Sequence, residues 1–210
     1  MGCDIHVMVE VRKQYGNNPT ELKTTGWKNA DNWRFNIWRG IFEDESKMEL
    51  KSIFNDRNYE LFGFLAGVRN YGHNPCFGFN RGFPEDADAP TRAEFEIYGE
   101  DAHTPGFCTL AELKEKIATV KTVHRSGFVK REDAQRHRET GEEPREWCQG
   151  VGGPFANRFE WYEWDTKPHC FDRLLSAIEE RKRDIFWMLD QTRDDGSHDG
   201  NIRIVFWFDN

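Results

Sequence analysis

The chain has 210 residues, a length suited to one domain that buries most of its apolar surface without disulfide staples. Its formal charge of −8 disfavours non-specific binding to a long nucleic acid, while leaving room for a small anion held by a local cationic cluster. Mean hydropathy is low, yet 17 Phe and 8 Trp exclude a disordered chain.

Cys3, Cys76, Cys108, Cys148 and Cys170 are odd in number, scattered and without a C-x-x-C pair. That is neither a disulfide framework nor a structural zinc pattern, and reduced thiols in a cytoplasmic protein are expected. No basic segment followed by an apolar run opens the sequence, so no signal peptide is expected, and no apolar stretch is long enough to span a bilayer. His6 stands where an acylation signal after Gly2 requires Ser or Thr.

The first element reads as a strand. Cys3, Ile5, Val7, Val9 and Val11 alternate with Asp4, His6, Met8 and Glu10, which predicts one face in the core and one polar face. Gly16-Asn17-Asn18-Pro19 is a turn signal. Trp27 to Phe54 reads as mixed strand and loop. Tyr59 to Arg69 predicts a helix apolar on most of its circumference, with Gly63 and Gly67 on one face where another backbone can approach closely. Asn70 to Pro90 is a long Gly-, Pro- and Asn-rich loop, a length that in a compact domain marks function.

Thr91 with Glu94, and Thr109 with Glu112, have the spacing of capping boxes at two helix starts. The second start leads Leu110, Leu113 and Ile117 into the core. Glu132 to Pro144 reads as a solvated polar excursion, an insertion around 130–150 in a single domain spanning 1–210. Phe155 to Trp164 reads as a strand, and Phe171 to Leu189 as a long amphipathic helix. Asp195-Gly196 and Asp199-Gly200 form a turn-rich hinge. Ile202, Ile204, Phe206 and Phe208 alternate in a last strand, expected beside the first. The fold class is therefore α+β, a mainly antiparallel sheet containing the N- and C-terminal strands and packed with helices.

Two D-x-H triplets carry the candidate chemistry: Asp4-Ile5-His6, and Asp101-Ala102-His103 followed by Thr104. On a strand, such a triplet projects a carboxylate and an imidazole from one face. Asp4, His6, Asp101 and His103 together suit a divalent metal, Zn²⁺ or Mn²⁺. Without metal, His6 and His103 suit general base and general acid in phosphodiester cleavage. Spacing does not separate these readings, nor either from histidines bonded to neighbouring carboxylates. Arg69-Asn70-Tyr71 and Arg81-Gly82 form a second element suited to gripping a phosphate and stacking a base. The competing reading is an ordinary loop whose Arg caps a helix and whose rings fill a satellite core. Arg57 reads as structural, Asp86 and Asp88 as turn residues, and Cys3, on the apolar face, as no nucleophile. His73, His124, His137, His169 and His198 read as surface residues without a carboxylate at a useful spacing, His198 beside Asp199 excepted.

Taken together, Met1 to Glu10 (M-G-C-D-I-H and a following V-E), Arg57 to Arg69, Arg81 to Asp86, Asp101 to Thr104 and the closing Phe208-Asp209-Asn210 carry a resemblance. The chain resembles a family of small phage and prophage proteins that open with M-G-C-D-I-H and end in F-D-N. It departs from that pattern at Thr104, where Ser is expected, and at Pro105-Gly106-Phe107, where a Ser-Trp pair is usual. The resemblance implies a phage protein in the cytoplasm of an infected bacterial host. It is also similar in kind to phage proteins that bind or cleave nucleotide immune signals, of the anti-CBASS and anti-Thoeris type. The expected function is a nucleotide-directed phosphodiesterase that degrades a small cyclic nucleotide signal. The alternatives are a non-catalytic sponge, expected as a homo-oligomer, and a structural or host-interaction protein.

Overall fold

The computed structural model describes residues 2–15, 23–31, 54–148, 150–151, 156–188 and 198–209. The Gly16–Pro19 turn, most of the Trp27–Phe54 stretch, Phe155, Leu189 and Asp195-Gly196 lie outside them. The described strands are β1 (Asp4–Val11), β2 (Gln14–Tyr15), β3 (Lys23–Thr24), β4 (Lys28–Asn29), β5 (Phe54–Asp56), β6 (His103–Thr109), β7 (Val123–Lys130), β8 (Trp147–Cys148), β9 (Phe159–Thr166) and β10 (Ile202–Asp209). The described helices are α1 (Tyr59–Ala66), α2 (Ala89–Tyr98), α3 (Leu110–Thr119), α4 (Arg131–Thr140) and α5 (Asp172–Met188).

The main sheet runs β4-β1-β10-β6, with β5 pairing β1 beside β4, and every pairing is antiparallel. The first and last strands are thus neighbours, in register Ile5↔Phe208, His6↔Trp207 and Glu10↔Arg203. Ile5, Val7, Val9 and Val11 join Ile204, Phe206 and Phe208 in a core closed by Leu61, Phe62 and Leu65 of α1, Leu113 of α3 and Leu174 and Ile178 of α5.

The opposite face of β1 is not a solvated one. Met8 is 2% exposed and Glu10 is fully buried. Helix α2 covers this side, with Phe95 and Tyr98 against Trp207 at 5.4 and 5.9 Å between ring centroids. Glu10 is satisfied there by Arg203 of β10, which is 3% exposed, at 2.6 Å. Arg203 also reaches Asp86 at 2.8 Å and lies over the Trp27 ring at 4.2 Å.

Helix α1 starts at Asn58, whose side chain accepts the Leu61 N–H, and ends at Gly67 in the left-handed region, φ 73°. The Thr109–Glu112 capping box of α3 is present in full. That expected at Thr91–Glu94 is absent, because α2 begins earlier, with Asp88 as N-cap and Pro90 in the first turn. Thr91 instead points inward, fully buried, and accepts the Asn29 side-chain amide at 2.9 Å. The Asp88 carboxylate takes the Asn29 N–H at 2.9 Å and Lys28 at 3.2 Å.

A smaller antiparallel sheet, β8-β7-β9, carries α4 on one face, where Val129, Ala134 and Trp164 pack with Tyr162. The polar stretch 132–144 therefore begins as helix, ending in a left-handed Gly141. The strand expected from Phe155 begins, as β9, at Phe159. Arg125 of β7 joins this unit to α1 through Glu60, at 2.9 Å, with both side chains largely buried. Among the described residues no helix is long and apolar enough to cross a membrane.

Candidate functional site

Asp4 and His6 share a face of β1 but have different partners. Arg57 grips Asp4 bidentately, Nε to Oδ1 at 2.6 Å and Nη2 to Oδ2 at 2.5 Å. That hydrogen-bonded guanidinium holds the Asp4 carboxyl below its ordinary range. His6 lies against Tyr98, ring centroids 4.1 Å apart, and is stacked on Trp207 at 5.6 Å. Its Nε2 sits 3.3 Å from Asp209 Oδ2, but the approach lacks hydrogen-bond geometry. Burial pushes the nearby Glu94 carboxyl up, against the opposing charge of His6.

The second triplet lies elsewhere. Asp101 ends an exposed 3₁₀ turn, 99–101. His103 pairs with Phe208 and stacks on it at 5.9 Å, so its ring is on the core side of the sheet. Here His103 Nε2 is 3.9 Å from the Cys3 thiol, and Nδ1 is 3.0 Å from Thr104 Oγ1. The side is chosen by a register shift between Phe206 and Phe208. Continued without it, the Phe206↔Gly106 pairing would set His103 opposite Asp209, on the face of His6. Thr104, at φ 49°, lies where that shift occurs.

Asp4, His6, Asp101 and His103 therefore do not gather into one ligand set. Among the described residues no group of three or more His, Cys, Asp or Glu side chains is placed to hold a metal ion. Cys3 is buried, and burial pushes its thiol up, against the hydrogen bond and charge of Arg69.

The cationic residues also separate. Arg81 is paired to Glu112 at 2.9 Å and lies over the Phe79 and Phe107 rings. The Gly82 N–H donates to the Pro105 carbonyl at 3.1 Å. Both residues dock the long loop against β6. Arg69 and Tyr71, by contrast, line a cavity of about 550 Å³ between the turn after α1 and strand β7. Tyr59, Glu60 and His73 line it as well, together with His124, Arg125 and Trp147, and Arg125 is paired there to Glu60.

The wall at 67–74 is built with care for backbone geometry. Arg69 (φ 48°) and His73 (φ 51°) both occupy the left-handed region, which non-glycine residues seldom adopt. Asn70 pins the turn rather than facing the cavity. Its side chain donates to the Asn74 carbonyl and accepts the Asn74 N–H, each at 2.8 Å. Arg69 Nη1 donates to the Tyr71 hydroxyl at 3.3 Å.

Sequence reasoning passes over His73, His124, Arg125 and Trp147. His124 is not without a carboxylate: it faces Asp165 across the β7–β9 ladder, Nδ1 to Oδ1 at 3.1 Å. The two lie 41 positions apart, so only the strand register reveals the pair. Compared with known protein families, curated proteins and solved structures, the chain matches none.

Proposed function

We propose that the cavity takes a small cyclic or modified nucleotide and that the chain acts on it as a phosphodiesterase. The supporting observation is the lining, in which Arg69 shares one concavity with the rings of Tyr59, Tyr71 and Trp147 and with the Arg125–Glu60 ion pair. Guanidinium forks match phosphate oxygens, and a nucleobase gains stacking energy on an aromatic face. A volume of about 550 Å³ falls among small-ligand sites. The resemblance carried by the sequence motifs alone adds the expectation of a nucleotide immune signal in the bacterial cytoplasm.

The test is a panel of cyclic dinucleotides and mononucleotides, followed by thermal shift and by chromatography of the nucleotide. A ligand that binds only the folded state raises the melting temperature, and cleavage yields a linear product. A panel that neither shifts melting nor is consumed would refute the proposal.

Sequestration is the second reading. It is favoured by the separation of His6 from His103 across the sheet, which removes one acid–base pair that the spacing offers. It expects stoichiometric binding, intact ligand after heat denaturation, and a homo-oligomer.

A further inference from the structure

Resting on the nucleotide reading of the cavity, we infer that His124 and His73 are its acid–base pair and that Asp165 positions His124. Both imidazoles line the cavity that holds Arg69 and the Arg125–Glu60 pair, and they come from different elements, His73 from the turn after α1 and His124 from β7. The Asp165 carboxylate, 3.1 Å from Nδ1, favours the proton on that nitrogen and leaves Nε2 as the acceptor. Nε2 is 3.9 Å from Glu163, too far for a hydrogen bond. In the turn after α1, His73 and Arg69 are both held in the left-handed region, latched by Asn70 onto Asn74. Backbone in a sparsely populated region persists where its surroundings over-determine it, and such residues cluster at working sites.

The step balances with side chains and water alone. His124 Nε2 takes a proton from water as the water oxygen bonds to phosphorus. The bond from phosphorus to the leaving oxygen breaks, and that oxygen takes a proton from the imidazolium of His73. Arg69 faces the non-bridging oxygens. Phosphodiester and water become phosphomonoester and alcohol, and proton exchange with solvent restores both rings. Nothing is oxidised or reduced.

The test uses the full chain and a panel of purine cyclic dinucleotides in EDTA, with binding measured by calorimetry and turnover by chromatography. Wild type is expected to linearise at least one of them. His124→Gln and His73→Gln each lower kcat by about 10²-fold or more, with affinity retained. Asp165→Asn lowers kcat by roughly tenfold with KM nearly unchanged, a split that a purely structural role would not produce. Undiminished turnover in either histidine variant, or turnover only with added metal, overturns the assignment. Wild-type binding without turnover overturns the acid–base roles alone and leaves the nucleotide reading standing. A panel that neither binds nor reacts overturns both.

Discussion

The side chain of Asn70 occupies the space in front of Gly63: a Cβ at Gly63 would lie 2.7 Å from Asn70 Oδ1 and 3.2 Å from its Cβ. The glycine makes room for the latch rather than for a ligand. Alanine at a helix interior position normally gains about 1 kcal/mol over glycine. Here Asn70 is fixed by two hydrogen bonds and cannot swing away cheaply, and overpacking costs about 1–3 kcal/mol. Gly63→Ala is therefore expected to destabilise by roughly 1 kcal/mol and to weaken nucleotide binding. Urea denaturation checks this, and a gain in stability would show that the latch yields.

Tyr71 is 68% exposed, so truncating it should change stability by no more than about 0.5 kcal/mol, whereas truncating Trp147, edge-on to the buried Trp164 at 5.9 Å, should cost about 1 kcal/mol or more. As stacking surfaces both should also matter for a bound base. Tyr71→Ala and Trp147→Ala are each expected to cost about 1–3 kcal/mol of nucleotide affinity. Calorimetric titration beside a melting curve separates the two effects. Unchanged affinity in both variants would remove the aromatic half of the proposed site.

The pair formed by Glu10 and Arg203 crosses the middle of the main sheet with almost no solvent contact. Arg203→Met leaves a carboxylate buried without its cation, and breaking such a pair costs about 3–5 kcal/mol. Removing both charges, as Glu10→Leu with Arg203→Met, is expected to restore much of that loss, because two desolvation penalties disappear together. Equal instability of single and double variants in chemical denaturation would contradict this.

Glu94 predicts a pH effect of definite sign. Burial raises its carboxyl in the folded state, against the opposing charge of His6. A raised folded value means that its contribution favours folding below the ordinary glutamate range and is lost as pH rises through the raised value. Glu94→Gln removes the cost of the buried charge. It should melt higher at neutral pH, by on the order of 1 °C, and the advantage should vanish towards about pH 4. A variant that melts lower at neutral pH would show that the charge is instead needed there.

Period-two alternation makes β1 and β10 legible, and their pairing in one sheet follows from two apolar faces that need each other. The Thr109–Glu112 box is legible because its partners are three residues apart. Thr91 and Glu94 have the same spacing, but Asn29 takes the Thr91 hydroxyl from 62 positions away. Local chemistry loses there to a tertiary contact. The polar side of β1 misleads for a similar reason, since the cation that satisfies Glu10 lies 193 positions on.

The candidate site is legible only in part. Arg69 and Tyr71 stand on the cavity wall, whereas Arg81 and Gly82 serve loop docking. A D-x-H triplet fixes two side chains relative to each other and says nothing about which side of the sheet they occupy. For His103 that choice depends on one register shift, which no periodicity records. His124 and Asp165 meet through strand pairing alone.

Strand β10 lies between β1 and β6 and pairs with both. During vectorial synthesis the β7–β9 ladder can zip from nearby sequence, while β1 and β6 wait as separate fragments with unpaired edges. Only when residues 202–209 leave the ribosome can the larger sheet close. Truncation before Ile202 would remove its keystone rather than trim its border.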